Sequence, residues 1–248
     1  IAANCVDDGL SINRNCGAVY PHNLARKVLR YKADMGFAFD GDADRLIAVD
    51  EHGDVIDGDM ILCALAKYFD AQGKLPCRTA VGTSHTNMAI ENDLKAHGIS
   101  LVRTDIGDKY VLARLLEKGY SLGGEQSGHI ILKDYATTGD GILTAIALSN
   151  MLISENKTLA EAVKIPLYPQ ENKNVPVEDK FRVINSEELS KQVAKYNAAL
   201  AGKGRLMIRA SGTEPKIRVM VESKDEALNR EVAAALVATI EKINGEKA

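Results

Sequence analysis

Six consecutive residues, Asp40-Gly41-Asp42-Ala43-Asp44-Arg45, put three carboxylates at alternate positions. Such groups do not sit together cheaply. Two unit charges ~4 Å apart interact by several kcal/mol at a surface-like effective dielectric. Either the carboxyl pKa values rise or a cation neutralises them. Alternate spacing on an extended loop lets all three side chains converge on one hard ion, and the all-oxygen set suits Mg²⁺ or Ca²⁺. Arg45 is the odd member. A guanidinium beside a metal cluster makes sense where an anion, most obviously a phosphate, is held between them.

An EF-hand calcium loop is the nearest competitor. Counted from Asp40, its acids fall on positions 1, 3, 5 and 12, the last being Glu51. Position 6, which should be glycine for the sharp turn, is Arg45. The flanks, Met35–Phe39 and Leu46–Val49, are short, apolar and bounded by turn residues, so they read as buried strands and not as helices. An Asp-rich surface turn without an ion is the plainest alternative, since Asp is a common turn former.

Two more loops carry chemistry. In Gly123-Gly124-Glu125-Gln126-Ser127-Gly128-His129, paired glycines let the backbone approach a ligand, and Glu125, Ser127 and His129 supply donors and acceptors suited to vicinal hydroxyls. A tight turn between strands with a satisfied histidine fits the same residues. In Arg209-Ala210-Ser211-Gly212-Thr213-Glu214-Pro215, followed by Lys216 and Arg218, amides around a glycine, two hydroxyls and two arginines make a phosphate cradle. The competing reading is a hairpin turn with solvated charges. Ser84 and His85 adjoin in sequence, but a nucleophile and its base must converge in space with an orienting acid. That segment reads as the cap of a helix starting near Met88.

The elements that must hold these loops follow from periodicity. Residues 1–55 hold a strand at Leu10–Asn13, a helix over Asn23–Lys32 with Leu24, Val28 and Leu29 on one face, and the two strands flanking the Asp loop. Residues 56–165 alternate helices (Asp59–Ala71, Met88–Ala96, Tyr110–Lys118, Gly141–Ile153) with strands (Thr79–Gly82, Ile99–Val102, Ile130–Leu132). Leu112, Leu115 and Leu116 are spaced for one buried face. This alternation predicts an α/β layer with a largely parallel or mixed sheet. Pro166–Pro176 reads as a linker. The rest is a small α+β unit, with helices over Glu187–Leu200 and Glu226–Ile243 and strands over Gly204–Arg209 and Lys216–Glu222.

The bulk numbers are those of an ordinary globular chain: 248 residues, 46% hydrophobic and 26% charged. A net charge of -3 gives no general attraction to nucleic acid. No apolar run approaches membrane-spanning length, and no signal peptide opens the chain, so no membrane partner is expected. Cys5, Cys16, Cys63 and Cys77 lack CxxC spacing and read as free thiols in a reducing cytoplasm, Cys63 as a packing residue. The chain opens on Ile1 in a structured-looking stretch, as expected of a piece of a longer protein.

The three loops, in this order and separation, resemble those of the α-D-phosphohexomutase family: DGDADR its metal loop, GEQSGH its sugar-recognition loop and RASGTEP its phosphate-binding loop. The resemblance covers essentially the whole chain. The context GYSLGGEQSGHII and the early NCG are most similar to bacterial members acting on hexosamine phosphates; members acting on mannose or glucose phosphates are the alternative. The resemblance implies phosphoryl transfer through a 1,6-bisphosphate and a phosphoserine in a first domain outside this segment. It makes residues 1–55 the end of a second domain, 56–165 a third and 166–248 a fourth. It implies Mg²⁺ on Asp40, Asp42 and Asp44, with Arg45 and, less strongly, Lys109 on the reacting face. Glu125 and Ser127 would grip sugar hydroxyls, with His129 supporting that loop. Arg209, Ser211, Gly212, Thr213 and Arg218 would hold the non-reacting phosphate. Ala210 stands where related enzymes often have proline. A phosphatase with an Asp nucleophile and a non-catalytic sugar-phosphate or Ca²⁺-binding module remain the readings from other classes, and the oligomeric state is open.

Overall fold

A computed structural model describes residues 1–5 and 8–245. The chain divides into two compact units, Ile1–Pro166 and Leu167–Ala248.

In the first unit, α1 (His22–Tyr31) leads into an antiparallel hairpin of β1 (Met35–Phe39) and β2 (Leu46–Asp50), and β3 (Val55–Ile56) pairs on the other edge of β2. β2 is buried along its whole length, whereas β1 alternates. Phe39 pairs with Leu46, so residues 40–45 form the connection of the hairpin. The Asp turn therefore lies between strands, and the EF-hand reading falls.

The strand expected at Leu10–Asn13 does not form; those residues curl through bends and turns. The Asp8 carboxylate accepts the N–H groups of Leu10 and Ser11 as well as the Ser11 hydroxyl. Asn13 and Asn15 take left-handed φ values of 58° and 54°. Local side-chain bonds thus outcompete strand pairing here. Leu29 also departs from its expected face, being 53% exposed while Val28 is buried.

The remainder of this unit is a layered α/β array. α2 (Gly58–Ala71) starts at Asp57, whose side chain accepts from the Met60 N–H, and it fully buries Ile61, Leu62 and Leu65. Then come β4 (Thr79–Thr83), α3 (Met88–Ala96), β5 (Ser100–Thr104), α4 (Asp108–Lys118), β6 (Leu122–Gly124), β7 (Ile130–Leu132), α5 (Gly141–Glu155) and α6 (Leu159–Ala162). The sheet runs β5-β4-β6-β7, with β4 parallel to both β5 and β6, and β7 antiparallel to β6. On α4 the buried residues are Val111 and Leu115, while Leu116 is 58% exposed, correcting the expected face. Cys63 is fully buried, and burial pushes its thiol pKa up, consistent with packing.

The second unit contains β8 (Gln170–Pro176), α7 (Lys180–Ile184), α8 (Glu187–Leu200), β9 (Gly204–Ala210), β10 (Lys216–Ser223) and α9 (Glu226–Gly245). Its antiparallel sheet has the order β8-β10-β9. Most of the stretch read as a linker is therefore a strand. β8 is an edge strand with exposed Asn172, Lys173 and Asn174, and its terminal Pro176 needs no inward ladder donor. Ile217, Val219 and Val221 of β10 pack with Val232, Leu236 and Ile240 of α9 in the core of the unit.

Candidate active site

Parallel strands offer their carboxyl ends as a ligand crevice. The first unit has such a crevice. A cavity of about 490 Å³ is lined by Thr83 at the end of β4, His85, Ile106 beyond β5, and Glu125, Gln126 and Ser127 beyond β6. Its lining also includes Asp40, Arg45 and Ile47 from the hairpin, with Ala18 and Val19. Two of the three singled-out turns thus meet at one cavity.

Main-chain bonds join these turns. Leu46 N–H donates to Gly128 O at 3.0 Å, Gly141 N–H to Ala43 O at 2.9 Å, and Gly58 N–H to Gln126 O at 3.0 Å. The turn over 125–128 closes through Gly128 N–H donating to Glu125 O. Ala43 sits at φ 58°, a left-handed conformation that costs a non-glycine residue about 1–2 kcal/mol. The Ala43 N–H donates to Asp40 O at 3.2 Å and closes the bend that carries Asp42 and Asp44.

The three carboxylates offer ligand atoms all within 4.8 Å of one another. Arg45 N–H donates to Asp40 Oδ1 at 3.2 Å, and its guanidinium lies 3.5 Å from Asp40 Oδ2 and 3.7 Å from Asp44 Oδ1. Burial, then the adjacent Asp44 carboxyl, pushes the Asp40 pKa up. Asp44 Oδ1 is a buried oxygen with no hydrogen-bond partner. An all-oxygen cluster with a raised carboxyl and an orphaned acceptor fits a hard divalent cation.

His129 is 5% exposed, and both ring nitrogens are engaged: Nδ1 lies 3.0 Å from Asp44 Oδ2, and Gly139 N–H donates to Nε2 at 3.0 Å. It closes the turn over 125–128 and is not in the cavity lining. Glu125 is half-buried, and its Oε1 accepts from Gly107 N–H at 3.0 Å, tying the turn to the start of α4. Ser127 is exposed. Lys109, on that first turn of α4, is exposed, with Nζ 4.8 Å from the Tyr110 ring centroid; it does not line the cavity.

The turn over 209–215 belongs to the second unit. Arg209 and Arg218 are direct cross-strand partners of β9 and β10. Like charges placed opposite one another are unfavourable. Burial and the nearby Arg218 lower the Arg209 pKa, and Arg218 Nε is buried without a partner. Glu214 touches Arg218 only at 3.4 Å. Gly212 and Thr213 form the exposed tip, while Ser211 is buried at its base. Lys180 Nζ donates to Ser211 O at 2.7 Å and Gly212 O at 3.3 Å. Two opposed arginines with an orphaned donor call for an anion.

The family model for the phosphoglucomutase/phosphomannomutase alpha/beta/alpha domain III matches residues 57–168, and that for the C-terminal domain of the same family matches 173–239. The chain belongs to the phosphoglucomutase/phosphomannomutase family. It is 46% identical to a phosphoglucosamine mutase of Carboxydothermus hydrogenoformans over 95% of this chain and 53% of that protein. With the phosphoglucosamine mutase of Limosilactobacillus fermentum it shares 45% identity over 89% of this chain and 49% of the other. The chain spans about half the length of these curated relatives. Among solved structures, an N-acetylphosphoglucosamine mutase of Aspergillus fumigatus aligns with TM-score 0.78 and 22% identity over 94% of this chain and 53% of that one. The same fungal enzyme in complex with GlcNAc-6P and magnesium aligns with TM-score 0.72 and 21% identity, covering 94% and 54%. At that identity these structures speak for a shared fold, the mixed α/β architecture of phosphohexomutases. Among the described residues, no helix is long and apolar enough to cross a membrane.

Thr83 and His85 also line the cavity, which their residue types did not reveal. Their signal was position, directly after a parallel strand. Asn87 does cap α3, its side chain accepting from the Ala89 N–H, so the segment serves both purposes. Asp59 was missed too. It is fully buried beneath this segment, where Oδ2 accepts from the Asn87 N–H at 2.8 Å and Oδ1 has no partner. Burial, then the neighbouring Asp57, pushes its pKa up to about 7. Between the unfolded value near 4 and this folded value, the native state holds a proton that the unfolded chain has released, so the contribution to stability falls as pH rises. Asp59→Asn keeps an acceptor for Asn87 and removes the charge. It should stabilise the protein by about 1–2 kcal/mol at pH 8 and flatten the decline in Tm between pH 5 and 8, read by thermal denaturation across that range.

Proposed function

We propose that the chain is the C-terminal part of a phosphoglucosamine mutase, an isomerase that interconverts glucosamine 6-phosphate and glucosamine 1-phosphate through a 1,6-bisphosphate. The phosphoryl-carrying serine lies outside this segment. Residues 1–55 are the end of a second domain, 56–165 a third and 166–248 a fourth, and the enzyme works in the cytoplasm. The observation that carries this reading is the single cavity in which Asp40 and Arg45 face Glu125 and Ser127.

Asp40, Asp42 and Asp44 hold Mg²⁺. When bound, the ion supplies positive charge that offsets the charge on a transferring phosphoryl group. Arg45 reaches the same phosphoryl oxygens, as its exposed guanidinium beside the carboxylates allows. Glu125 and Ser127 accept and donate to sugar hydroxyls, and Gly107 holds the Glu125 carboxylate in its orientation. Arg209, Gly212, Thr213 and Arg218 grip the non-reacting phosphate, with Ser211 at the base of that turn, and Lys109, outside the cavity lining, is the weaker candidate for the reacting face. Because the bisphosphate must turn over between half-reactions, hydroxyl contacts and a separate phosphate grip suit the task better than one rigid pocket.

The full-length protein carrying this segment should convert glucosamine 6-phosphate faster than mannose or glucose 6-phosphate in a coupled assay, and residues 1–248 alone should give no turnover. Preference for mannose or glucose 6-phosphate would move the assignment to a phosphomannomutase or phosphoglucomutase. Robust turnover by residues 1–248 alone would overturn the missing-serine reading.

A further inference from the structure

We propose that Gln126 is a specificity-determining residue whose side-chain carbonyl oxygen reads an amino group on the sugar ring, and that Asp57 is the positioning residue that turns this oxygen outward. The inference rests on the reading of the cavity as a glucosamine phosphate site, and it names the contact that tells an amino sugar from a neutral one.

Asp57 holds two groups at the start of α2. Its Oδ1 accepts the Met60 N–H at 3.1 Å and caps the helix. Its Oδ2 accepts from Gln126 Nε2 at 3.2 Å. A carboxylate offers only acceptors, so the amide faces it with the NH₂ end and the carbonyl end points away. The peptide oxygen of Gln126 is already taken by the Gly58 N–H at 3.0 Å. One acceptor of the residue remains, the side-chain Oε1. Among the described residues no donor reaches it, nor is it buried without a partner. Gln126 lines the cavity between Glu125 and Ser127, so this oxygen is open to whatever the cavity holds.

The main chain beneath the amide cannot give. A Cβ on Gly58 would run into the Glu125 carbonyl oxygen and the backbone of Gly128, so the helix start and the turn lie in direct contact. The amide is therefore fixed in place by the backbone and in direction by Asp57.

Direction matters because an amine and a hydroxyl differ as partners. A hydroxyl donates and accepts, so it pairs with either end of an amide. An ammonium group donates and accepts nothing. It bonds the carbonyl end, with charge making that bond roughly twice as strong as a neutral one, and it is repelled by the NH₂ end. The direction of one amide thereby sorts glucosamine 6-phosphate from glucose 6-phosphate, which differ only in carrying an amino group or a hydroxyl at one ring carbon.

Two substitutions test the contact in the full-length protein carrying this segment. Asp57→Asn keeps the helix cap through its carbonyl oxygen and puts an NH₂ group where Oδ2 stood. The Gln126 amide must then reverse and show its NH₂ end to the cavity. Gln126→Met keeps the side-chain length and removes the oxygen. Both leave the main-chain bond between Gly58 and Gln126 in place. The readout is the ratio of kcat/KM for glucosamine 6-phosphate to kcat/KM for glucose 6-phosphate, with Tm measured alongside. The ratio should fall about 10–100-fold in each variant. A structural role would instead lower Tm and both kcat/KM values together while the ratio holds, and that result overturns the inference. A ratio that falls in Gln126→Met but holds in Asp57→Asn would mean that the carboxyl group donates to the amide, and it overturns the stated direction. Should Asp57→Asn fail to fold, Gln126→Met decides alone. Wild-type protein that prefers glucose 6-phosphate sinks the substrate reading itself. Wild-type preference for glucosamine 6-phosphate that both variants retain sinks the glutamine contact alone.

Discussion

Gly58→Ala is expected to destabilise the protein by about 3 kcal/mol, lowering Tm by roughly 6–12 °C. Gly58 is the first residue of α2, and its N–H donates to Gln126 O. A methyl group there would press into the Glu125 carbonyl oxygen and the backbone of Gly128. Both obstacles are main chain, so no side-chain rotation relieves the clash. The turn must move away from the helix, taking Glu125 and Ser127 with it. Loss of sugar-phosphate affinity should therefore accompany the loss of stability, the first read by calorimetry and the second by thermal denaturation. A variant with wild-type Tm and wild-type affinity would mean that the turn is not held where the helix start and the turn meet.

The second large effect concerns Arg209 and Arg218. Each charge-assisted contact to a phosphate contributes about 1.5–3 kcal/mol, so each Arg→Ala change should weaken glucosamine 6-phosphate binding about 10–100-fold, and the pair together about 10³-fold. Stability should move the other way or stay level. The two guanidiniums are opposed across β9 and β10, and removing one relieves repulsion that the exposed Glu214 carboxylate, 3.4 Å from Arg218, offsets only in part. Mg²⁺ affinity should be untouched, because the carboxylate turn lies in the other unit. Equal losses of sugar phosphate and Mg²⁺ affinity would argue against a dedicated anion grip.

Which parts of this molecule could be read from its residues follows from where local signals are strong. Helices with caps and apolar faces declared themselves: Met88–Ala96 and Glu187–Leu200 begin and end where spacing predicts. β6 did not, because Gly123 and Gly124 have little strand propensity and are held by β4 and β7 instead. β8 hid in a run of Glu, Asn and Lys, since an edge strand needs few apolar residues. Leu10–Asn13 misled in the other direction: its alternation is real, but the Asp8 carboxylate captures its amides. At the site, carboxylate spacing made the Asp turn legible. His129 was legible only as a residue type, because its partners at positions 44 and 139 are distant in sequence. Asp59 gave no signal, since burial depends on the packing of α2 against the segment before α3.

The bonds joining residues 46 to 128, 43 to 141 and 58 to 126 are all peptide to peptide. Their geometry is indifferent to most of the side chains displayed at the cavity rim. On the proposed reading, exchanges at Gln126, Ser127 or His85 would retune which sugar is welcomed without dismantling the scaffold beneath. Such a design would leave substrate preference free to drift across a lineage, while the bend carrying the three carboxylates stays put.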